Sequence, residues 1–181
     1  MIVRVLQESD AKSYQEVRLS GLRNDPDVFG STYEREKEFS LETVISRISP
    51  TQDKFVLGAF VEGELVGIVA FVREVGMKIT HKGNIYGMYV VPEMRGAGVG
   101  RELLLELIKK AKGMEDLEQI NLTVISGNSI AKKLYTSLGF ENYGTERNAI
   151  KYKGQYFDED LMALKLWRTA VRGRAQWKEW Y

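Results

Sequence analysis

Val90-Val91-Pro92-Glu93-Met94-Arg95-Gly96-Ala97-Gly98-Val99-Gly100-Arg101 is where the chain changes from one periodicity to another. Before it, Asn84 to Val91 reads as a strand. After it, Leu103, Leu104, Leu107, Ile108 and Ala111 recur at helical spacing until Gly113, a natural stop. The glycines at alternate positions let the backbone turn tightly with no Cβ in the way, so several amides converge on one anion. The helix beginning there adds its unpaired amides and the positive end of its dipole. A pyrophosphate suits that geometry. The spacing is not that of a dinucleotide fingerprint, since Arg101 stands where the third glycine would be, and no Gly-Lys-Ser/Thr follows for a P-loop.

Outward from this turn, strands and helices alternate. Ile2 to Leu6 reads as a strand, and Ser9 or Asp10 caps a helix carrying Tyr14, Val17, Leu19 and Leu22, which Asn24-Asp25-Pro26-Asp27 breaks. A second amphipathic helix runs from near Ser40 to Pro50, and the acidic stretch Tyr33 to Phe39 between them is ambiguous. Phe55 to Val61 and Leu65 to Val72 form a hairpin about Glu62-Gly63-Glu64. Ile120 to Ile125 is the next strand. Asn128 or Ser129 then opens a helix in which Ile130, Ala131, Leu134, Tyr135 and Leu138 share a face, closed by Gly139. Phe140 to Tyr143 and Asp160 to Leu166 complete the sheet as late strands, with a turn at Lys153-Gly154 between them. One α/β domain over residues 1–166 is expected, with residues 167–181 as a helical or packed C-terminal extension.

Composition narrows the chemistry. Lys+Arg number 26 and Asp+Glu 25, so no chain-wide field is offered to nucleic acid or to an anionic membrane, and neither is expected as a partner. The absence of cysteine removes a catalytic thiol and every thiolate metal site, and the single His81 cannot build a histidine cluster, so no metal is expected. The N-terminus lacks the apolar core of a signal peptide or membrane span, which makes a cytoplasmic protein the expectation.

Arg95-Gly96-Ala97-Gly98-Val99-Gly100 resembles the cofactor loop Arg/Gln-x-x-Gly-x-Gly/Ala of the GNAT superfamily of N-acetyltransferases, and Val90-Val91-Pro92-Glu93 matches the family's approach to it. A second motif is similar too: Asn128-Ser129-Ile130-Ala131-Lys132-Lys133-Leu134-Tyr135-Thr136-Ser137-Leu138-Gly139-Phe140 follows Asn-x-x-Ala-x-x-Leu-Tyr-x-x-x-Gly-Phe. The two together, in order, are specific where either alone would not be. The resemblance implies a mixed, partly splayed central sheet flanked by helices, with acetyl-coenzyme A between the strand ending at Val91 and the strand ending at Ile125. It implies cofactor contacts from Met88, Tyr89 and Val90, from Arg95 through Gly96, Ala97, Gly98, Val99 and Gly100 to Arg101, and from Asn128 and Tyr135. Gly87 fits a bulge. By the same analogy the backbone of Met88 and Val90 polarises the thioester carbonyl, and Tyr135 is the general acid for the departing thiolate.

The family's strand glutamate before Asn128 is replaced by Thr123, so the general base is open among Glu34, Glu36, Glu38 and Tyr86 acting through water. The acceptor is open as well. A small-molecule amine is the leading reading and a protein lysine or N-terminal amine the alternative; a non-catalytic coenzyme A sensor is the reading from another class. Tyr152, Tyr156, Phe157, Asp158 and Glu159 are candidates for an aromatic and acidic acceptor pocket. Trp167, Trp177 and Trp180, set among arginines, fit a packed surface helix or a homodimer contact.

Overall fold

The computed structural model describes residues 1–166; the tail with its three tryptophans lies outside them. Seven strands form one sheet in the order β1-β2-β3-β4-β5-β7-β6, with β1 Ile2–Val5, β2 Lys54–Val61, β3 Glu64–Arg73, β4 Lys82–Val90, β5 Gln119–Ile125, β6 Glu141–Tyr152 and β7 Gln155–Lys165. The helices are α1 Ala11–Asn24, the single turn α2 Tyr33–Glu36, α3 Leu41–Ile48, α4 Val99–Lys112 and α5 Ser129–Ser137. Among the described residues no helix is long and apolar enough to cross a membrane.

Both hairpins are set by two-residue turns whose central residues have positive φ: Glu62 at 52° with Gly63 at 90°, and Lys153 at 46° with Gly154 at 79°. That backbone sense matches the twist of the flanking strands, and it pairs Val61 with Glu64 and Tyr152 with Gln155. The late strands are much longer than the sequence suggests. Register shifts at Asn142/Gly144 and Glu146/Ile150 interrupt the alternation that marks a strand, so most of Tyr143 to Asp158 is paired hairpin rather than loop.

The sheet is covered on both faces. On one, α4 buries Leu103, Leu104, Leu107, Ile108 and Ala111, the residues picked out by their spacing, with Phe71, Ile120 and Phe140. On the other, α1 and α3 pack Tyr14, Val17, Val44 and Ile48 against Val56, Ile68 and Tyr89. Ser40 caps α3 by accepting from the Thr43 amide, as expected.

The functional consequence of the topology lies at its one parallel pair. β4 and β5 are in register only at Lys82–Gln119, Gly83–Ile120 and Asn84–Asn121. Beyond Asn84 they part, and the edge of β4 from Ile85 to Val90 that faces β5 carries no ladder. A sheet thus splayed at its centre presents free backbone donors and acceptors inside the protein, where they demand a partner.

Candidate acetyl-transfer site

A cleft of about 780 Å³ fills the splay. Met88, Tyr89, Val90, Arg95, Gly96, Gly98, Val99, Gly100, Arg101, Asn128 and Tyr135 all line it; of the cofactor residues marked in the sequence, only Ala97 does not. Gly96 and Gly98 sit at φ 79° and 83°, a region that favours glycine, and Gly98 is the residue from which α4 starts. Among the described residues no side chain caps that start. Its first amides are therefore left for an anion, the fit that a pyrophosphate requires. At Gly100 the helix comes close to β4: a Cβ there would lie 3.0 Å from the Met88 Cε, a contact to which the end of the methionine side chain would have to give way.

The two arginines differ. Arg101 is exposed at the cleft wall. Arg95 donates to Asp25 Oδ2 at 2.5 Å and to the Val90 carbonyl at 3.1 Å, and lies over the Tyr89 ring, so it ties the loop to the end of α1 and its charge is already matched.

At the cleft floor, β4 bulges. Ile68 pairs with Tyr89 and Ala70 with Tyr86, so Val69 alone faces Gly87 and Met88, and Gly87 takes φ 58°. Tyr135 is buried against this point, its hydroxyl donating to Met88 Sδ at 3.5 Å and its ring edge-on to Phe140. Burial pushes its phenol up to about 12, so it keeps its proton throughout the neutral range. Asn128 caps α5, its Oδ1 accepting from the Ala131 amide at 3.1 Å. The side-chain NH2 donors are left for other partners.

The placement of α5 rests on a residue that sequence reasoning missed. Asp160 of β7 is 4 % exposed and accepts from Lys132 Nζ at 2.5 Å, Ser126 Oγ at 2.7 Å and Thr145 Oγ1 at 2.9 Å. Those bonds, Lys132's first, hold its carboxyl down at about 2. α5 is thereby fastened to β5, β6 and β7 at the end that carries Asn128.

A second cavity, of about 590 Å³, opens from the first across Val28, Phe29, Ile85, Tyr86, Gly87 and Thr123, which line both. Among the glutamates considered from the sequence, Glu34 and Glu38 are exposed and line neither space. Glu36 lines the second cavity but is 1 % exposed and gripped by Arg18, at 3.0 and 2.8 Å, with Arg47 Nη1 at 2.9 Å. Burial acts to raise its carboxyl; the hydrogen bonds and charges of Arg18, the Ser31 hydroxyl and Arg47 outweigh it and hold it at about 2. So acidic a group is a poor proton acceptor. Tyr86 lines both spaces, its phenol raised by burial and then by Glu74.

One carboxylate of different character remains. Glu159 of β7 lines the second cavity beside Thr123, and its carboxyl is raised by burial, eased by a hydrogen bond from Thr123 and raised again by Glu146. The signal that finds it is the β5–β7 register, which sets Ile125 opposite Glu159 and Thr123 opposite Leu161. The aromatic and acidic group expected around it is divided. Tyr156, Phe157 and Asp158 line a third depression with Asp25 and Asp27, while Tyr152 lies at the hairpin end under Lys153. The segment is paired as strand instead of closing as a loop, so Tyr152 stands at the turn opposite Gln155 and Glu159 stands opposite Ile125.

Comparison with known proteins gives the family and the fold. Over 107 residues the chain is 29 % identical to the L-amino acid N-acetyltransferase AaaT of Escherichia coli, an alignment spanning 59 % of this chain and 65 % of that protein. Over 98 residues it is 33 % identical to the N-alpha-acetyltransferase RimI of Mycobacterium tuberculosis, spanning 54 % of this chain and 59 % of the relative. The chain thus matches somewhat under two thirds of the length of each. The fold is that of the GNAT-family acetyltransferase of Streptococcus pneumoniae, with a TM-score of 0.79 at 23 % identity over 91 % of this chain and 98 % of the other. It is equally that of yncA of Salmonella typhimurium, solved with its cofactor acetyl-CoA, with a TM-score of 0.78 at 20 % identity over 96 % and 98 %. The model described as "Acetyltransferase (GNAT) domain" matches residues 3–161, nearly the whole described length, and the chain belongs to that family.

Proposed function

We propose that the protein transfers the acetyl group of acetyl-coenzyme A to the primary amine of a small molecule. The observation that carries this reading is the central splay, where an uncapped glycine turn, a free strand edge and the buried Tyr135 follow one another along one cleft. The cofactor supplies an activated thioester; everything else falls to the chain. The amides at the start of α4 hold the pyrophosphate, and the free edge of β4 pairs with the amide-bearing arm as a neighbouring strand would. The backbone at the Gly87 bulge donates to the carbonyl oxygen. Glu159, beside Thr123, takes the proton that the amine sheds as its C–N bond forms. Tyr135 gives a proton to the sulfur as the C–S bond breaks, so charge balances across the site.

A small acceptor is favoured over a protein by the second cavity, whose size falls within the range of small-molecule sites and which Phe29, Phe39 and the α2 turn line. The relatives include both kinds, one named for L-amino acids and one for an N-alpha amine. A cytoplasmic setting fits the absence of cysteine. The test is thiol release from acetyl-coenzyme A across a panel of amines. Amine-stimulated release is expected. Tight cofactor binding with no stimulation by any amine would leave a coenzyme A-binding module and overturn the reading.

A further inference from the structure

The second cavity holds more positive charge than proton transfer needs. Arg18, Arg35 and Arg47 line it with only Glu36 and Glu159 to balance them. Glu36 engages Arg18 through Nε and Nη2, which leaves Arg18 Nη1 with no hydrogen-bond partner among the described residues, although the side chain is only 8 % exposed. Arg47 Nη1 touches Glu36 but makes no well-formed hydrogen bond either. A buried guanidinium N–H left without an acceptor is costly, so Arg18 Nη1 in this cavity wall calls for an anion, whereas Arg47 Nη1 already has its counter-charge in Glu36. The Arg18 fork cannot turn away: Glu36 holds two of its nitrogens and the Phe29 ring lies 4.7 Å from its centre.

Its position is equally informative. A Cβ on Gly87 would lie 3.4 Å from Arg18 Nη1, which puts that nitrogen beside the bulge where the acetyl carbon must meet the amine. An anion bound there belongs to the acceptor, within a carbon or two of its nitrogen. We propose that the acceptor is an amino acid, its carboxylate received by Arg18 Nη1 and its amine turned toward Glu159. This assignment rests on the acetyl-transfer reading and deepens it. It also excludes competitors by chemistry. A polyamine would set ammonium groups against three arginines, and a peptide N-terminus offers a neutral carbonyl where the guanidinium requires a charge.

The experiment compares the proteinogenic L-amino acids with their carboxamides as acceptors for the full chain, with spermidine and a peptide amine alongside, reading thiol release. For the best acid, the carboxamide is expected to lose roughly 10- to 100-fold in kcat/KM, chiefly through KM. Arg18→Lys is expected to cost the acid about tenfold and the carboxamide little. Equal use of acid and carboxamide by the unaltered protein, or preference for spermidine or the peptide, overturns the proposal and leaves acetyl transfer standing. Failure of every amine overturns both. Because the acid–carboxamide comparison needs no substitution, the outcome does not depend on the folding of Arg18→Lys.

Discussion

At the scale of single residues the proposed chemistry divides labour between two groups that burial pushes the same way. Tyr135 carries its proton at neutral pH as any phenol does, and burial raises its pKa further, to about 12, so it is in the state the proposed acid must be in before it gives its proton to sulfur. Tyr135→Phe keeps the ring's packing on Phe140 and removes only the hydroxyl. Turnover is expected to fall about 100-fold or more with acetyl-coenzyme A affinity unchanged, read by steady-state kinetics and calorimetry. Turnover equal to the parent would remove the residue as the acid. For Glu159 the sign runs the other way. A base works deprotonated, so activity rises as pH climbs through its raised carboxyl pKa and levels above it. The groups around it are Thr123 and Glu146 on the neighbouring strands and Arg18, Arg35, Glu36, Arg47 and Tyr86 around the cavity. Glu159→Gln should abolish that acidic limb and slow the plateau by roughly 100-fold or more. A limb that persists in the variant would assign the base elsewhere.

Elements explain which of these features could be read from the chain and which could not. The glycine turn and α4 were legible because their information is local: positive φ demands glycine, and the helix announces its buried face by spacing. Gly98→Val tests that reading, since φ 83° strains any branched side chain and the new bulk covers the amides at the start of α4. Cofactor affinity by calorimetry is expected to drop about tenfold or more, and unchanged affinity would detach the turn from cofactor binding. Glu159 was not legible as the proposed base because that role depends on non-local pairing. Only the antiparallel register of β7 on β5 brings it beside Thr123, and two bulges hide β6 from the alternation that would have announced the hairpin. Glu36 misled for a related reason. Its acidic neighbours look solvated, whereas the fold buries this one carboxylate between arginines from α1 and α3.

For the molecule as a whole, two buried carboxylates join elements that the apolar core also packs together. Glu36 ties α2 to α1 and α3 above one face of the sheet, and Asp160 ties α5 to the strands on the other. Both are held at about 2 in the folded protein, from ordinary values of 4.5 and 3.8. A carboxyl whose pKa is depressed by folding contributes stability in full above its unfolded pKa, and the contribution drains away as pH falls through the folded one. The melting temperature should therefore be nearly flat from neutrality down to about pH 5 and fall steeply between about pH 4 and 2. Asp160→Asn separates the share of one group. It keeps the volume but leaves Lys132 without its counter-charge, at an expected cost of roughly 1–3 kcal/mol at pH 7. In thermal melts followed by circular dichroism, the gap between parent and variant should be widest at pH 7 and narrow steadily below pH 4, because the parent loses there what the variant never had. A gap of constant width down to about pH 2 would mean that Asp160 acts through packing and hydrogen bonding alone.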